Sequence, residues 1–353
     1  MIGSTRGDTE SGGAERRDRV EAPARSPIPN DGTAIAGGAA DSAPREVDAV
    51  LASRILALTP ERISSSEVRQ VLAHAPAPTI LAFRGSLPML TMRPLADFLI
   101  AMGYPEASLR DPATGELSYS SRDDSARLAG LIAGLYERDG LMPMLIGHSQ
   151  GGMLVLRILH ELAGSFHSQI AVRDPDTGRE LDRKDIFDPL TGLRQPVVGL
   201  RVGYAAVIAT GTLPRILLGQ WDMIPRLREV PDSVEEFTGF TIAWDPIAGN
   251  LAHGEAYKPM GRAVVGNVLL ASAVSHIGAV QLAPLASDEV AREWIEAYVP
   301  GAADRPGLPV ARVDTRNIVQ AAELWYHIKK HWCVEAQRWV RARQRTAAPD
   351  VRR

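Results

Sequence analysis

The chain has 353 residues, of which 45% are hydrophobic and 23% are charged, and its formal net charge at pH 7 is −3. This balanced composition argues against a chain that is disordered throughout, a polytopic membrane protein and a nucleic-acid-binding protein. The length favours a single α/β domain with extensions. Cys333 is the one cysteine, so the sequence predicts no internal disulfide and none of the common structural zinc sites.

The N-terminal region is predicted to be disordered over 1–45, because it is rich in Gly, Ala, Ser and Pro and has no hydrophobic periodicity. Its first 21 residues are polar and mixed in charge, without the apolar core of a secretory signal. No run of about 18 apolar residues occurs along the chain. These observations predict a cytoplasmic location and no transmembrane helix.

Two short helices are predicted next, over 46–58 and 64–75, and they form a helical extension over 46–77 that ends at a Pro-rich breaker. From residue 78 to about 300, short apolar runs alternate with helical periodicity, which is typical of a largely parallel sheet flanked by helices. The predicted strands are 79–83, 142–146, 204–209, 240–244 and 264–270. The predicted helices between them are 93–102, 123–137, 150–162, 214–228 and 287–298.

The segment over 168–203 interrupts this alternation. It contains two Asp-Pro-x-Thr-Gly turns, over 174–178 and 188–192, and each is flanked by short runs of β-forming residues. We interpret the segment as an inserted pair of β-hairpins. Its acidic residues lack the spacing of a calcium-binding loop and are interpreted as parts of solvated turns.

A long helix is predicted over 316–345, within a C-terminal helical extension over 301–353, and its apolar face is expected to pack on the domain. Arginines in its last turns favour a helix C-terminus and also offer a basic surface for peripheral contact with anionic lipid. His327 and His331 are four residues apart, but the sequence between them has two lysines and lacks the Glu of the zinc-protease motif. We therefore predict surface histidines there and no metal site.

The most informative segment is 141–153, in which an apolar run meets Gly-His-Ser-Gln-Gly over 147–151 and helical periodicity then begins. A nucleophilic serine requires a sharp strand-to-helix turn, and small residues two positions before and after it avoid a steric clash. The serine then lies at a helix N-terminus, where the dipole and the N–H groups stabilise a developing oxyanion. Ser149 is therefore the predicted nucleophile.

This motif resembles the nucleophile elbow of the α/β-hydrolase family, particularly of its bacterial lipase and esterase branch, and the resemblance extends over about 78–298. It implies an α/β-hydrolase domain over 78–300, to which the hairpin insertion is an addition. In that family a loop after an early strand supplies half of the oxyanion hole, and the matching loop here is Leu-Ala-Phe-Arg-Gly-Ser-Leu-Pro over 81–88. The match implies that the backbone N–H groups of Ser86 and Gln150 hold the oxyanion.

Arg84 departs from the family pattern, in which a histidine commonly precedes the glycine of this loop. The departure leaves the argument for the backbone donors intact. Two interpretations of Arg84 stay open, a structural ion pair and a contact with substrate.

The base of a triad is sought among histidines near strand ends, because active sites of open parallel sheets lie at the carboxyl ends of the strands. His276 follows the last predicted strand, in a loop that resembles the histidine loop of lipases, whereas His253 lies in a polar loop. Family chain order places the acid before this histidine. Asp245 ends a predicted strand, whereas Asp222 and Asp232 lie in or just after a predicted helix. We therefore prefer His276 and Asp245, although an Asp-Pro pair can also cap its own turn.

The predicted function is a serine hydrolase that cleaves a carboxylic ester through an acyl-enzyme and needs no cofactor. An unusually apolar stretch over 213–225 follows a strand end, so 213–230 is interpreted either as a cap helix over an acyl or lipid-like substrate or as an ordinary buried helix. Thioester hydrolysis, amide hydrolysis and acyl transfer use the same attacking groups and stay alternatives. A non-catalytic binding protein on a hydrolase fold is a further alternative.

Overall fold

The computed structural model describes residues 47–86, 91–211, 221–249, 254–271, 273–302 and 307–347. The helices in these ranges are α1 (Ala49–Ala57), α2 (Ser65–Gln70), α3 (Arg93–Ala101), α4 (Ser125–Asp139), α5 (Gln150–Leu162), α6 (Ala283–Ser287), α7 (Glu289–Ala297) and α8 (Ile318–Ala347). The strands are β1 (Ile80–Phe83), β2 (Met144–His148), β3 (Asp185–Phe187), β4 (Arg194–Pro196), β5 (Val202–Ile208), β6 (Glu229–Val230), β7 (Val234–Ile242), β8 (Lys258–Pro259) and β9 (Val264–Leu270). Short 3-10 helices lie at Pro60–Arg62, Leu72–His74, Glu106–Leu109, Trp221–Arg226 and Gly278–Val280.

Five of these strands form the central sheet, in the order β1, β2, β5, β7 and β9. Every adjacent pair in it is parallel, so each connection must cross back over the sheet. Three α-helices lie in two of these connections, with α3 and α4 between β1 and β2 and with α5 after β2. The fold is therefore α/β, with a parallel sheet flanked by helices, and this part of the sequence prediction is confirmed.

Two apolar cores lie on the two faces of the sheet, because successive side chains of a strand point to opposite faces. Ile80 and Ile146 belong to the core that contains the buried faces of α3, α7 and α8. Leu81 and Leu145 belong to the other core, which contains α4, α5 and part of the insertion. The sheet is thus covered on both faces, as continuous apolar strands require.

Several predicted elements have different ends in the structure. The helix over 150–162 and the strand over 264–270 have the predicted bounds. The strand predicted over 240–244 begins earlier, at Val234. The sequence prediction missed its first half because Glu235 and Glu236 interrupt the apolar pattern there. The helix predicted over 287–298 begins at Glu289 instead, because the side chain of Asp288 accepts the N–H of Ala291 and caps the start of α7.

Two predictions fall wholly or mostly on residues outside the described ranges. The predicted disorder over 1–45 is one of them. The helix predicted over 214–228 is the other, and its described part begins with the 3-10 helix Trp221–Arg226. In the described part of the chain, no helix is long and apolar enough to span a membrane.

The insertion over 168–203 contains the predicted hairpins. Strands β3 and β4 pair in antiparallel fashion around the turn at 188–192. Arg173 and Glu180 form an antiparallel bridge across the turn at 174–178. The turn chemistry of the two Asp-Pro sequences therefore predicted this segment correctly.

The prediction of surface histidines on α8 is wrong. The side chains of His327 and His331 are 12% and 4% exposed, and both rings stack on the ring of Tyr204. His331 Nε2 lies 2.7 Å from a carboxylate oxygen of Glu236 on β7. Because α8 packs against the sheet, these polar positions are buried, and the carboxylate compensates for the lost hydration.

Candidate active site

The site lies where three strands of the central sheet end. Ser149 directly follows β2, Asp245 follows β7 after a short turn, and His276 lies in the loop after β9. The carboxyl ends of parallel strands meet at one edge of a sheet, which is where crevices for ligands form. The structure therefore brings together the three side chains that the sequence selects.

These three side chains form a continuous chain of hydrogen bonds. His276 Nδ1 lies 2.7 Å from Asp245 Oδ2, and His276 Nε2 lies 2.9 Å from Ser149 Oγ. A carboxylate only accepts hydrogen bonds, so Nδ1 of the imidazole carries the hydrogen. The lone pair of Nε2 is then free to accept the hydroxyl hydrogen of the serine, which is the geometry of an activated nucleophile.

Ser149 has a strained backbone, with φ 54° and ψ −121°. A residue with a side chain rarely adopts a positive φ and holds it only where the surrounding structure fixes the chain. Close main-chain packing provides that constraint here, since a Cβ on Gly147 would collide with Gly151 and a Cβ on Gly151 would collide with Phe83. The small residues around the serine are therefore required by packing.

The two predicted oxyanion-hole residues lie on either side of the serine. Gln150 is the first residue of α5, and the first N–H groups of a helix point out of its N-terminus. On the other side, a Cβ at Gly85 would lie 3.2 Å from Ser149 Cβ and 3.6 Å from Ser149 Oγ. Ser86 follows Gly85 directly, so the loop after β1 lies close to Ser149. The resemblance of this loop to that of the α/β-hydrolase family implied such an approach.

Asp245 uses its two carboxylate oxygens for different purposes. Oδ1 accepts the N–H groups of Ile247 and Ala248, each at 3.1 Å, whereas Oδ2 contacts His276. Burial alone would raise the pKa of this carboxyl, but the hydrogen bonds from His276 and Ala248 lower it below its ordinary value. Asp245 is therefore ionised at neutral pH, and the same side chain both caps its own turn and contacts His276.

The other candidate acids lie in different contacts. Asp222 forms an ion pair with Arg157 of α5, with Nη2 and Oδ2 2.9 Å apart. Asp232 accepts the N–H of Ala263 at 3.0 Å. His253, the alternative base, lies outside the described residues.

The structure bears on one of the two interpretations of Arg84, the structural ion pair. Its backbone N–H donates to the Tyr119 oxygen at 3.1 Å. Its guanidinium forms no ion pair with any carboxylate in the described ranges. Burial raises the pKa of Asp123, and the charge of Arg84 is among those that oppose the rise. Within the described ranges, the charge of Arg84 thus acts on the Asp123 carboxylate without forming an ion pair with it.

Neither a protein-family model nor a curated protein matches this chain. Among the described residues, no group of three or more His, Cys, Asp and Glu side chains has an arrangement that could hold a metal ion. What the site can do chemically depends on the groups that it presents. These are a serine hydroxyl, an imidazole that can accept its proton and an ionised carboxylate that orients the imidazole.

Proposed function

We propose that the protein is a serine hydrolase of the α/β-hydrolase fold that cleaves carboxylic esters through an acyl-enzyme. The observation that carries the proposal is the pair of hydrogen bonds, 2.7 and 2.9 Å long, that links Asp245 through His276 to Ser149. The chain order of serine, acid and histidine supports the family assignment, and so does the glycine-lined turn at Ser149.

The acylation step follows from these contacts. Ser149 Oγ attacks the carbonyl carbon of the ester while its proton moves to His276 Nε2. The carbonyl oxygen becomes negative, and the N–H groups of Ser86 and Gln150 donate hydrogen bonds to it. The imidazolium, stabilised by Asp245, then gives its proton to the ester oxygen as the C–O bond breaks and the alcohol leaves.

Deacylation repeats the same proton transfers with water. His276 takes a proton from a water molecule, whose oxygen attacks the acyl carbon on Ser149. The bond between the acyl carbon and Ser149 Oγ then breaks as the imidazolium returns the proton to Oγ. The carboxylic acid leaves and the free serine is restored, so no cofactor takes part in the cycle.

Exposed apolar side chains flank the acid and the base. Trp244 and Ile247, on either side of Asp245, are 67% and 53% exposed, and Ile277, next to His276, is 42% exposed. Such side chains near a polar site offer contact area to apolar parts of a ligand. We therefore infer that the acyl group of the substrate is apolar.

The proposal is tested with a fluorophosphonate probe, which labels activated serines, and with p-nitrophenyl esters of increasing acyl length. The wild-type protein should be labelled and should hydrolyse the esters. Ser149→Ala should lose labelling, and its turnover should fall by several orders of magnitude, because the nucleophile is absent. Ser108→Ala is the control, since Ser108 lies in the 3-10 helix Glu106–Leu109 and its hydroxyl donates only to the Ala77 oxygen.

Two results would refute the proposal. One is a folded wild-type protein that is neither labelled nor able to hydrolyse any ester of the series. The other is a Ser149→Ala variant that keeps a tenth or more of the wild-type turnover, because a triad cannot function without its nucleophile.

A further inference from the structure

We propose that His148 is a positioning residue that fixes the main chain of His276, an inference that rests on the proposed hydrolase function. His148 is the last residue of β2, immediately before Ser149, and is 1% exposed. Its Nε2 lies 2.9 Å from the main-chain oxygen of His276. The residue next to the nucleophile is therefore hydrogen-bonded to the backbone of the residue that carries the base.

The hydrogen-bond partner defines the protonation of His148. A carbonyl oxygen only accepts hydrogen bonds, so Nε2 of His148 carries a hydrogen and donates it. Burial lowers the pKa of His148 to about 4, and the neighbouring His276 adds to this effect, while Asp245 opposes it. His148 is therefore neutral at pH values where an imidazole base works, and the contact with His276 does not titrate there.

The contact joins two segments that are distant in the sheet. Strands β5 and β7 separate β2, which presents Ser149, from β9, which precedes the loop of His276. The rings of His148 and His276 also pack together, with centroids 5.0 Å apart. A displacement of this loop by about 1 Å would break the hydrogen bond between His276 and Ser149, and misplacement of that size costs about 100-fold in rate.

Core packing alone does not explain a histidine at this position. The preceding residues of β2 include Met144, Leu145 and Ile146, which are apolar and fully buried. An apolar residue would fill the same space without the cost of burying an imidazole. Such a residue could not donate to the His276 oxygen, and a buried carbonyl without a donor is itself destabilising.

Two substitutions separate donation from packing. His148→Gln keeps a donor, because the side-chain amide nitrogen of Gln reaches about as far as imidazole Nε2, whereas His148→Leu fills the space without a donor. We expect His148→Gln to keep most of the wild-type kcat and His148→Leu to lose about 100-fold. KM should change little in either variant, because His148 does not contact the substrate.

A matched control comes from His160 on α5, which is fully buried and whose Nε2 lies 3.2 Å from the Glu229 main-chain oxygen. His160→Leu removes the same kind of donor away from the site, so it should lower the melting temperature without changing kcat per folded molecule. The low-field NMR resonance of the His276 Nδ1–H supplies a second measurement. It should shift or broaden in His148→Leu and stay unchanged in His148→Gln and His160→Leu.

The outcomes distinguish this inference from the proposed function. If the wild-type protein neither hydrolyses esters nor reacts with the fluorophosphonate, the proposed function is wrong and this inference is wrong with it. If the wild-type protein is active and His148→Leu has the same kcat and the same resonance, only the positioning role is wrong. If His148→Leu does not fold, His148→Asn replaces it, since its amide is too short to reach the His276 oxygen. Equal activity of the Asn and Gln variants would then contradict the inference.

Discussion

The contacts of the Asp245 side chain come from two sources, a local turn motif and a partner that is distant in the sequence. Asp111, Asp174 and Asp188 begin similar Asp-Pro turns, and Oδ1 of each accepts the N–H groups two and three residues later. Asp245 makes the same two contacts. The sequence around these four residues therefore predicts the turn and cannot distinguish the candidate catalytic acid. Only the position of Asp245 after β7 brings its second oxygen to His276.

Substitution of Asp245 by Asn should separate its two roles. The Asn side-chain oxygen can still accept the two turn N–H groups, so the melting temperature should fall only slightly. The Asn amide would then face His276 Nδ1 with a donor and favour the wrong tautomer, so kcat should fall by roughly 10⁴-fold. Both quantities are measured by ester hydrolysis and thermal unfolding.

Asp222→Asn is the companion variant, because Asp222 is one of the two other carboxylates considered for the triad. It pairs with Arg157 at the surface, so turnover should change little and stability by about 1 kcal/mol or less. A large loss of activity in Asp222→Asn together with an active Asp245→Asn would overturn the assignment of the acid.

The element formed by β2, the turn at Ser149 and α5 could be predicted almost completely, because its signals are local. The glycines define the turn, and the apolar period of α5 begins directly after it, so the helix has the predicted bounds. The first half of β7 could not be predicted in this way. Glu235 and Glu236 look like solvent-exposed residues in the sequence, but they pair with Arg338 and Lys330 of α8.

The close packing of the turn leads to a prediction for Gly151→Ala. A Cβ at residue 151 would collide with the main-chain oxygen of Phe83, so the turn must shift or the strand must move away. We expect a loss of about 1–3 kcal/mol in the free energy of unfolding, together with a large loss of kcat as Ser149 is displaced. Urea unfolding and ester hydrolysis measure the two effects.

Gly266→Ala serves as the control for an added methyl group in a regular element. Gly266 lies on β9, where a Cβ would make ordinary contact with the Phe237 oxygen at 3.7 Å. The Gly266→Ala variant should be as stable and as active as the wild-type protein. If Gly151→Ala behaved in the same way, the close approach at the turn would not be required for its conformation.

At the scale of the whole molecule, α8 joins the sheet through buried charges as well as apolar contacts. Glu236 of β7 contacts Lys330 Nζ at 2.8 Å and His331 Nε2 at 2.7 Å, and His327 lies beside them. Burial alone would raise the pKa of Glu236, but the hydrogen bonds from His331 and Lys330 and the adjacent imidazole of His327 hold it well below its ordinary value. Burial opposes protonation of His327, yet Glu236 and Glu323 raise its pKa.

These directions predict how stability depends on pH. The lowered pKa of Glu236 stabilises the fold above the unfolded value of about 4.3 and ceases to do so as pH falls towards the folded value. The raised pKa of His327 stabilises the fold below about 6.5, and this contribution is lost as pH rises through the folded value. Glu236→Gln removes both effects, so its deficit in unfolding free energy should be largest between about pH 5 and 6.5 and smaller on either side, reaching about 3 kcal/mol.

Urea unfolding at about pH 4, 6 and 8.5 measures this deficit. Glu235→Gln is the matched control on the same strand, because its partner Arg338 is partly exposed and the pair should contribute only about 1 kcal/mol or less. A deficit of Glu236→Gln that is the same at all three pH values would contradict the pKa directions. The sequence could not reveal this cluster, since its members come from β7 and α8 and meet only in the folded protein.

The place of α8 in the core also affects the order in which the protein can fold during synthesis. Gln337 donates to the main-chain oxygens of Ile55 and Leu58, and Trp332 Nε1 donates to the Pro76 oxygen, so early and late parts of the chain share one core. At about 5–20 residues per second, a ribosome needs roughly 12–48 s to reach α8 after residue 76 has been made. During that interval one face of the growing sheet lacks one of the helices that cover it. The nascent chain therefore exposes an apolar surface that a chaperone can bind, and this face cannot close until α8 has emerged.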